Sequence, residues 1–138
     1  MFECSIKRLA PGINRYSLSD SVFFLSIVIA GFFLIYGIQC LRSPFMKREF
    51  RRYEMDDRLR KLTGICQLLG AVGLLAGIYY SLLGFFSATG LCLMMTVAFG
   101  TRLKVRDPLN QTLPSFFFMV LNGYLAYEYL LLFLDDLQ

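Results

Sequence analysis

VFFLSIVIAGFFLIYGIQCL, residues 22–41, decides the fold. The run carries no charged residue across its 20 positions. A helix of that length, at about 1.5 Å per residue, reaches about 30 Å, the thickness of a bilayer's hydrocarbon core. The run is too long for an ordinary signal-peptide core, and no small-x-small cleavage site follows it. It reads as a retained first membrane span.

Three similar runs follow. Residues 62–80 are LTGICQLLGAVGLLAGIYY, residues 82–100 are LLGFFSATGLCLMMTVAFG, and residues 115–134 run from Ser115 to Leu134. Each is uniformly apolar, whereas barrel strands would alternate over about 10 residues. With no water to satisfy the backbone, helices are the remaining solution. Little more than Ser81 separates the second run from the third, which forces an antiparallel hairpin, and Tyr79 and Tyr80 stand where an aromatic belt is expected. The chain is 57% hydrophobic and 17% charged, against about 45–50% and about 25% for a soluble domain. Four spans leave no room for a second domain in 138 residues. The expected fold is all-α: an integral membrane four-helix bundle forming one domain, residues 1–138.

Between the first two runs lies RSPFMKREFRRYEMDDRLRK, residues 42–61, with eight of the 14 Lys and Arg residues. Pro44 suits a first helical turn, where no amide donor is needed. Met46, Phe50, Tyr53 and Met55 recur at roughly helical spacing among the charges. This predicts a short amphipathic helix in the interface, with Arg48, Arg51, Arg52 and Arg58 against lipid headgroups or a partner. The alternative is a solvated charged loop. Residues 101–114 read as a second polar loop with a turn at Asp107-Pro108 and a further headgroup contact at Arg102.

The +4 charge flanks the apolar runs, so it reads as a topology signal and not as a nucleic-acid surface. The two loops hold 11 basic residues, and the other side holds Lys7, Arg8 and Arg15. Both loops are therefore expected in the cytoplasm and both termini outside, with Cys4 open to labelling from outside.

Small and polar residues suggest how the helices meet. Gly70, Gly73 and Gly77 share nearly one face of the second span, and the third offers Gly84, Ser87, Ala88 and Gly90. These faces are expected to pack within the bundle, or else between two copies in a homo-oligomer. Gln39, Gln67 and Thr96 lie at similar depth, with Asn122 above them, and are expected to form a polar cluster. It would serve interhelical hydrogen bonding or receive a ligand such as a quinone headgroup. Glu128 is the only carboxylate inside an apolar run. It either relays protons from a buried position or reaches the outer headgroups.

Cys4, Cys40, Cys66 and Cys92 contain no CxxC pair, and there is no histidine. The cysteines read as small apolar fillers, and histidine-ligated metal or haem is excluded. No metal-ligand cluster, Gly-rich phosphate loop or Ser-His-Asp set is present, so no catalytic residue is assigned.

The segment Gly37-Ile38-Gln39-Cys40-Leu41 before Pro44, the segment Leu62 to Gly70, and Met94 to Asp107 resemble, in order and spacing, the DoxX-like family of four-helix membrane proteins. The second segment is similar to the family's lxGxxExxG opening. The departures fall on polar positions: Gln67 replaces a glutamate, Arg102 a histidine and Cys40 a lysine. Some relatives are subunits of quinone-linked oxidoreductases, and others are linked to oxidative-stress complexes or to membrane-protein assembly. The resemblance implies a non-catalytic subunit or interaction partner of a membrane complex, set in a bacterial inner membrane. The alternative it implies is a quinone-binding subunit of an oxidoreductase system.

Overall fold

Inside hydrocarbon a backbone must pair its own N–H and C=O groups, and this chain does so with helices throughout. The computed structural model describes residues 13–138, with side chains from residue 20 onward. Lys7, Arg8 and Cys4 lie outside the described residues, as does the Arg15 side chain. The helices are α1 (Ile13–Arg42), α2 (Pro44–Arg52), α3 (Asp57–Gly77), α4 (Ser81–Lys104) and α5 (Leu109–Leu137). Four are long and apolar enough to cross a membrane, with mean hydropathy from 1.3 for α3 to 2.4 for the α1 stretch Asp20–Arg42.

The short α2 carries Arg48, Arg51, Arg52 and Lys47 beside Phe45, Met46 and Phe50, and buries none of its residues fully. It is the expected amphipathic segment between the first and second spans. Ser43 alone links it to α1, and Pro44 opens it.

The membrane helices differ in their ends from the apolar runs. α3 starts at Asp57, earlier than residue 62, because Asp56 adopts an extended N-cap conformation and accepts the Asp57 amide at 2.8 Å. It stops at Gly77, so Tyr79 and Tyr80 fall in the turn, where they are strongly exposed. The expected loop 101–114 shrinks to residues 105–108. α4 runs on to Lys104, with the Thr101 hydroxyl bonded to the Val97 carbonyl at 2.9 Å. α5 starts directly after Pro108, a residue suited to a helix start. Pro114 therefore stands inside α5, where it has no N–H for the Asn110 carbonyl.

α3 packs between α1 and α4, and α4 lies along α5, whereas α1 and α5 meet sparingly. The core joins Ile29, Ala30 and Phe33 of α1 to Ala71 and Leu74 of α3, Ala88 and Leu91 of α4, and Leu125 and Tyr129 of α5. The α3–α4 hairpin closes where Gly77 faces Gly84. A Cβ on Gly77 would collide with the Gly84 backbone, and one on Gly84 would lie 2.6 Å from the Tyr129 ring. Gly73 packs on Ser87 and Gly70 on Leu91, so these faces pack inside the molecule, whereas Gly90 opens onto empty space. At this end Ser81 and Asp136 are 3.0 Å apart, and a buried Ser26–Tyr129 hydrogen bond of 2.7 Å ties α1 to α5.

The outside is apolar. Phe24, Leu69, Phe86, Leu93, Val97 and Phe117 are all well exposed. So broad an apolar exterior on long helices is the surface of a protein solvated by lipid.

Candidate functional site

α2 folds back over the basic end of the bundle because its apolar residues need cover and its arginines find partners there. Asp107, in the turn between α4 and α5, has a carboxylate only 1% exposed. It accepts Arg52 Nη2 at 2.7 Å, Arg102 Nη1 at 3.3 Å and the Tyr53 hydroxyl at 3.1 Å. Glu49 accepts Arg52 at 3.0 Å and the same hydroxyl at 3.1 Å. Both guanidiniums also lie near the Tyr53 ring, 5.3 and 5.9 Å from its centre. Burial pushes the Tyr53 phenol above its ordinary pKa. Hydrogen bonding from Arg52 works against that rise, while Glu49 and Asp107 add to it.

Arg52 and Arg102 are thus tied to Asp107. The turns beside the network are tight: Glu54 and Arg106 both adopt φ 57°. Arg48, Arg51 and Arg58 are exposed at the surface.

Beneath this network lies a cavity of about 520 Å³. α2 contributes Met46 and Phe50, α1 contributes Phe33 and Cys40, α4 contributes Met94 and Met95, and α5 contributes Ser115 and Phe118. The volume falls in the range of about 300–1,000 Å³ usual for small-molecule sites. Gln39 and Gln67, two of the expected polar cluster, line it. Gln67 is 7% exposed and its Oε1 has no hydrogen-bond partner among the described residues.

The other members are placed differently. Thr96 is exposed and bonds its hydroxyl to the Cys92 carbonyl at 2.8 Å, so it does not join the two glutamines. Asn122 is fully buried one turn beyond Phe118. Its Nδ2 donates to the Phe118 carbonyl at 2.7 Å, while its Oδ1 has no partner among the described residues. Glu128 is half-buried at the other end of α5 and interacts with Tyr124, one turn earlier.

The site's lining follows the chain in the order of a known pattern. The family model of the DoxX-like family matches residues 24–123. The chain belongs to the DoxX-like family. The match covers all of α2, α3 and α4, and with them the cavity walls. No curated protein and no solved structure matches the chain.

Within this DoxX-like bundle Arg60 is the one charged residue buried as a whole among the described residues, and the sequence alone does not single it out. Arg60, 1% exposed, donates from Nη1 to the Cys40 and Leu41 carbonyls and from Nε to Asp57 at 2.8 Å. Asp107 was likewise read as a turn signal only. Asp107 carries a signal in its position before Pro108, whereas Arg60 carries only its place one turn into α3.

Proposed function

We propose that this DoxX-like protein is a non-catalytic subunit of a membrane complex, and that it holds a quinone in the cavity at its basic end. The observation that carries the reading is the cavity itself: aromatic and methionine walls around a buried glutamine whose Oε1 has no hydrogen-bond partner among the described residues. Such a site suits a flat, apolar ring with polar edges. The spacing of basic residues supports a topology with this end in the cytoplasm and the termini outside, in a bacterial inner membrane. Purification in mild detergent followed by a quinone and lipid inventory tests the reading. Co-purified quinone, and a rise in Tm on adding ubiquinone, are expected. Their joint absence would overturn it.

A second observation favours a docking role at the same end. Arg48, Arg51 and Arg58 are exposed and lie outside the Asp107 network. They suit anionic headgroups or an acidic partner subunit. A partner that co-purifies from the native membrane and is lost from a triple alanine variant is the expected result, and a strictly monomeric preparation would count against it.

A further inference from the structure

A second recess lies beside the cavity. Its volume is about 410 Å³, and its walls are Lys47, Phe50 and Arg51 of α2, Met55 and Asp56 of the following turn, and Asp57 at the start of α3. Phe50 and Met55 line both spaces and so form the partition between them.

Charge is divided across this recess. Lys47 and Arg51 stand one turn apart on α2, and Asp56 and Asp57 stand where α3 begins. Asp57 is already compensated by Arg60 and Lys61. Lys47, Arg51 and Asp56 are exposed and form no ion pair among the described residues, with one another or with any other side chain. Asp56 commits Oδ1 to the Asp57 amide, which leaves its second oxygen free to accept. Opposite charges that line one recess without meeting suit a ligand that carries both signs.

The recess also sits at headgroup level. Phe45 of α2 and Leu59 and Leu62 of α3 flank it in the chain, and all three are exposed apolar residues on a membrane protein. Such residues enter the hydrocarbon while neighbouring charges stay at its boundary.

We infer that the recess holds the headgroup of a phospholipid with a primary ammonium, phosphatidylethanolamine, its phosphate on Lys47 and Arg51 and its ammonium on Asp56. This does not depend on the ligand proposed for the inner cavity. The phosphate accepts from two cationic donors, and the ammonium donates to the carboxylate. The quaternary nitrogen of phosphatidylcholine has no N–H, and phosphatidylglycerol has no cation, so neither lipid hydrogen-bonds Asp56 through a charged donor.

The full chain, delipidated in a nonionic detergent, tests this by native mass spectrometry with the dioleoyl forms of these three lipids. The solution is about 0.15 M in ammonium acetate, where exposed charges more than about 8 Å apart are largely screened. Phosphatidylethanolamine is expected to bind about 3-fold tighter or more than either of the others. Asp56→Asn keeps an N-cap, since Asn caps as well as Asp. It should therefore preserve Tm while bringing the ethanolamine-to-choline ratio close to one. Lys47→Gln combined with Arg51→Gln should weaken both lipids and keep that ratio above one. Equal binding of phosphatidylethanolamine and phosphatidylcholine by the unaltered protein, or tighter binding of phosphatidylglycerol, overturns the inference. So does a preference that survives Asp56→Asn, or no binding of any lipid. Free phosphoethanolamine at equal concentration is expected not to displace the lipid, and displacement would overturn the assignment to a membrane headgroup.

Discussion

Arg60 of α3 donates to the main-chain carbonyl of Cys40 near the end of α1. In an unbroken helix that carbonyl would bond the amide four residues on, but position 44 is proline and has no N–H. Arg60 supplies the missing donor from a neighbouring helix and extends the same guanidinium to the Leu41 carbonyl at 3.2 Å. Asp57 compensates its charge. The α1–α2 corner and the start of α3 are therefore one unit.

Arg60→Met should separate them. It keeps the apolar stem and removes the donors, leaving the Cys40 carbonyl orphaned beside lipid. Hydrogen bonds from a charged group contribute about 1.5–3 kcal/mol each, so a loss of at least that size is expected in detergent unfolding. Arg60→Lys should recover part of it, because an ammonium can reach one carbonyl but cannot hold the fork. An unchanged Tm for Arg60→Met would refute the capping role.

Asp107 fixes α2 over the cavity, and Asp107→Ala should free it. Two guanidiniums would lose their shared carboxylate, and the amides of residues 45–52 should exchange with deuterium faster in nanodiscs. The Gly77–Gly84 end of the bundle should keep its protection. Uniformly faster exchange would mean global destabilisation, which the local role does not predict.

Tyr53 gives the same network a pH limit. Its phenol pKa is raised, chiefly by burial. A group whose folded pKa lies above its unfolded value contributes stability below the unfolded value, about 10 for tyrosine, and loses it as pH rises through the folded one. Above that point a phenolate would join Glu49 and Asp107. The wild type should therefore lose Tm more steeply than Tyr53→Phe at alkaline pH, and parallel curves would sink the idea.

Much of this architecture was readable in advance because its cause is local. An uncharged run such as residues 22–41 admits one structure in lipid, and Gly73 and Gly77 carry the close approach in their spacing. Thr96 shows where legibility ends. Its depth matches Gln39 and Gln67, but depth does not set which way a residue faces, and here it faces lipid. Arg60 and Asp107 were hidden because their partners, Cys40 and Arg52, are distant in sequence, so their roles depend on how the helices fold back. The helix ends near Gly77 and Leu109 were hidden too, since caps and prolines, not hydropathy, set them.

The glycine faces separate close approach from mere smallness. Gly77→Ala should destabilise the hairpin, because its methyl meets the Gly84 backbone and neither helix can yield cheaply. Gly90→Ala meets nothing within 4 Å and should leave Tm unchanged or slightly raised. Comparable losses in both variants would mean that the stripe packs against a second copy of the chain.

Asn122 turns stability against function. Its Oδ1 is buried without a donor, and such an orphan costs about 1–3 kcal/mol. Asn122→Leu removes the orphan but also removes the Nδ2 bond to the Phe118 carbonyl, a carbonyl that already serves the helix. The variant should therefore be as stable as the wild type or more so, by up to about 1 kcal/mol. If Asn122 served only to hold helices together, Tm would fall, because no other role would offset the loss. A stabilised variant that binds quinone less well would instead place Asn122 among the groups kept for the ligand at the expense of the fold.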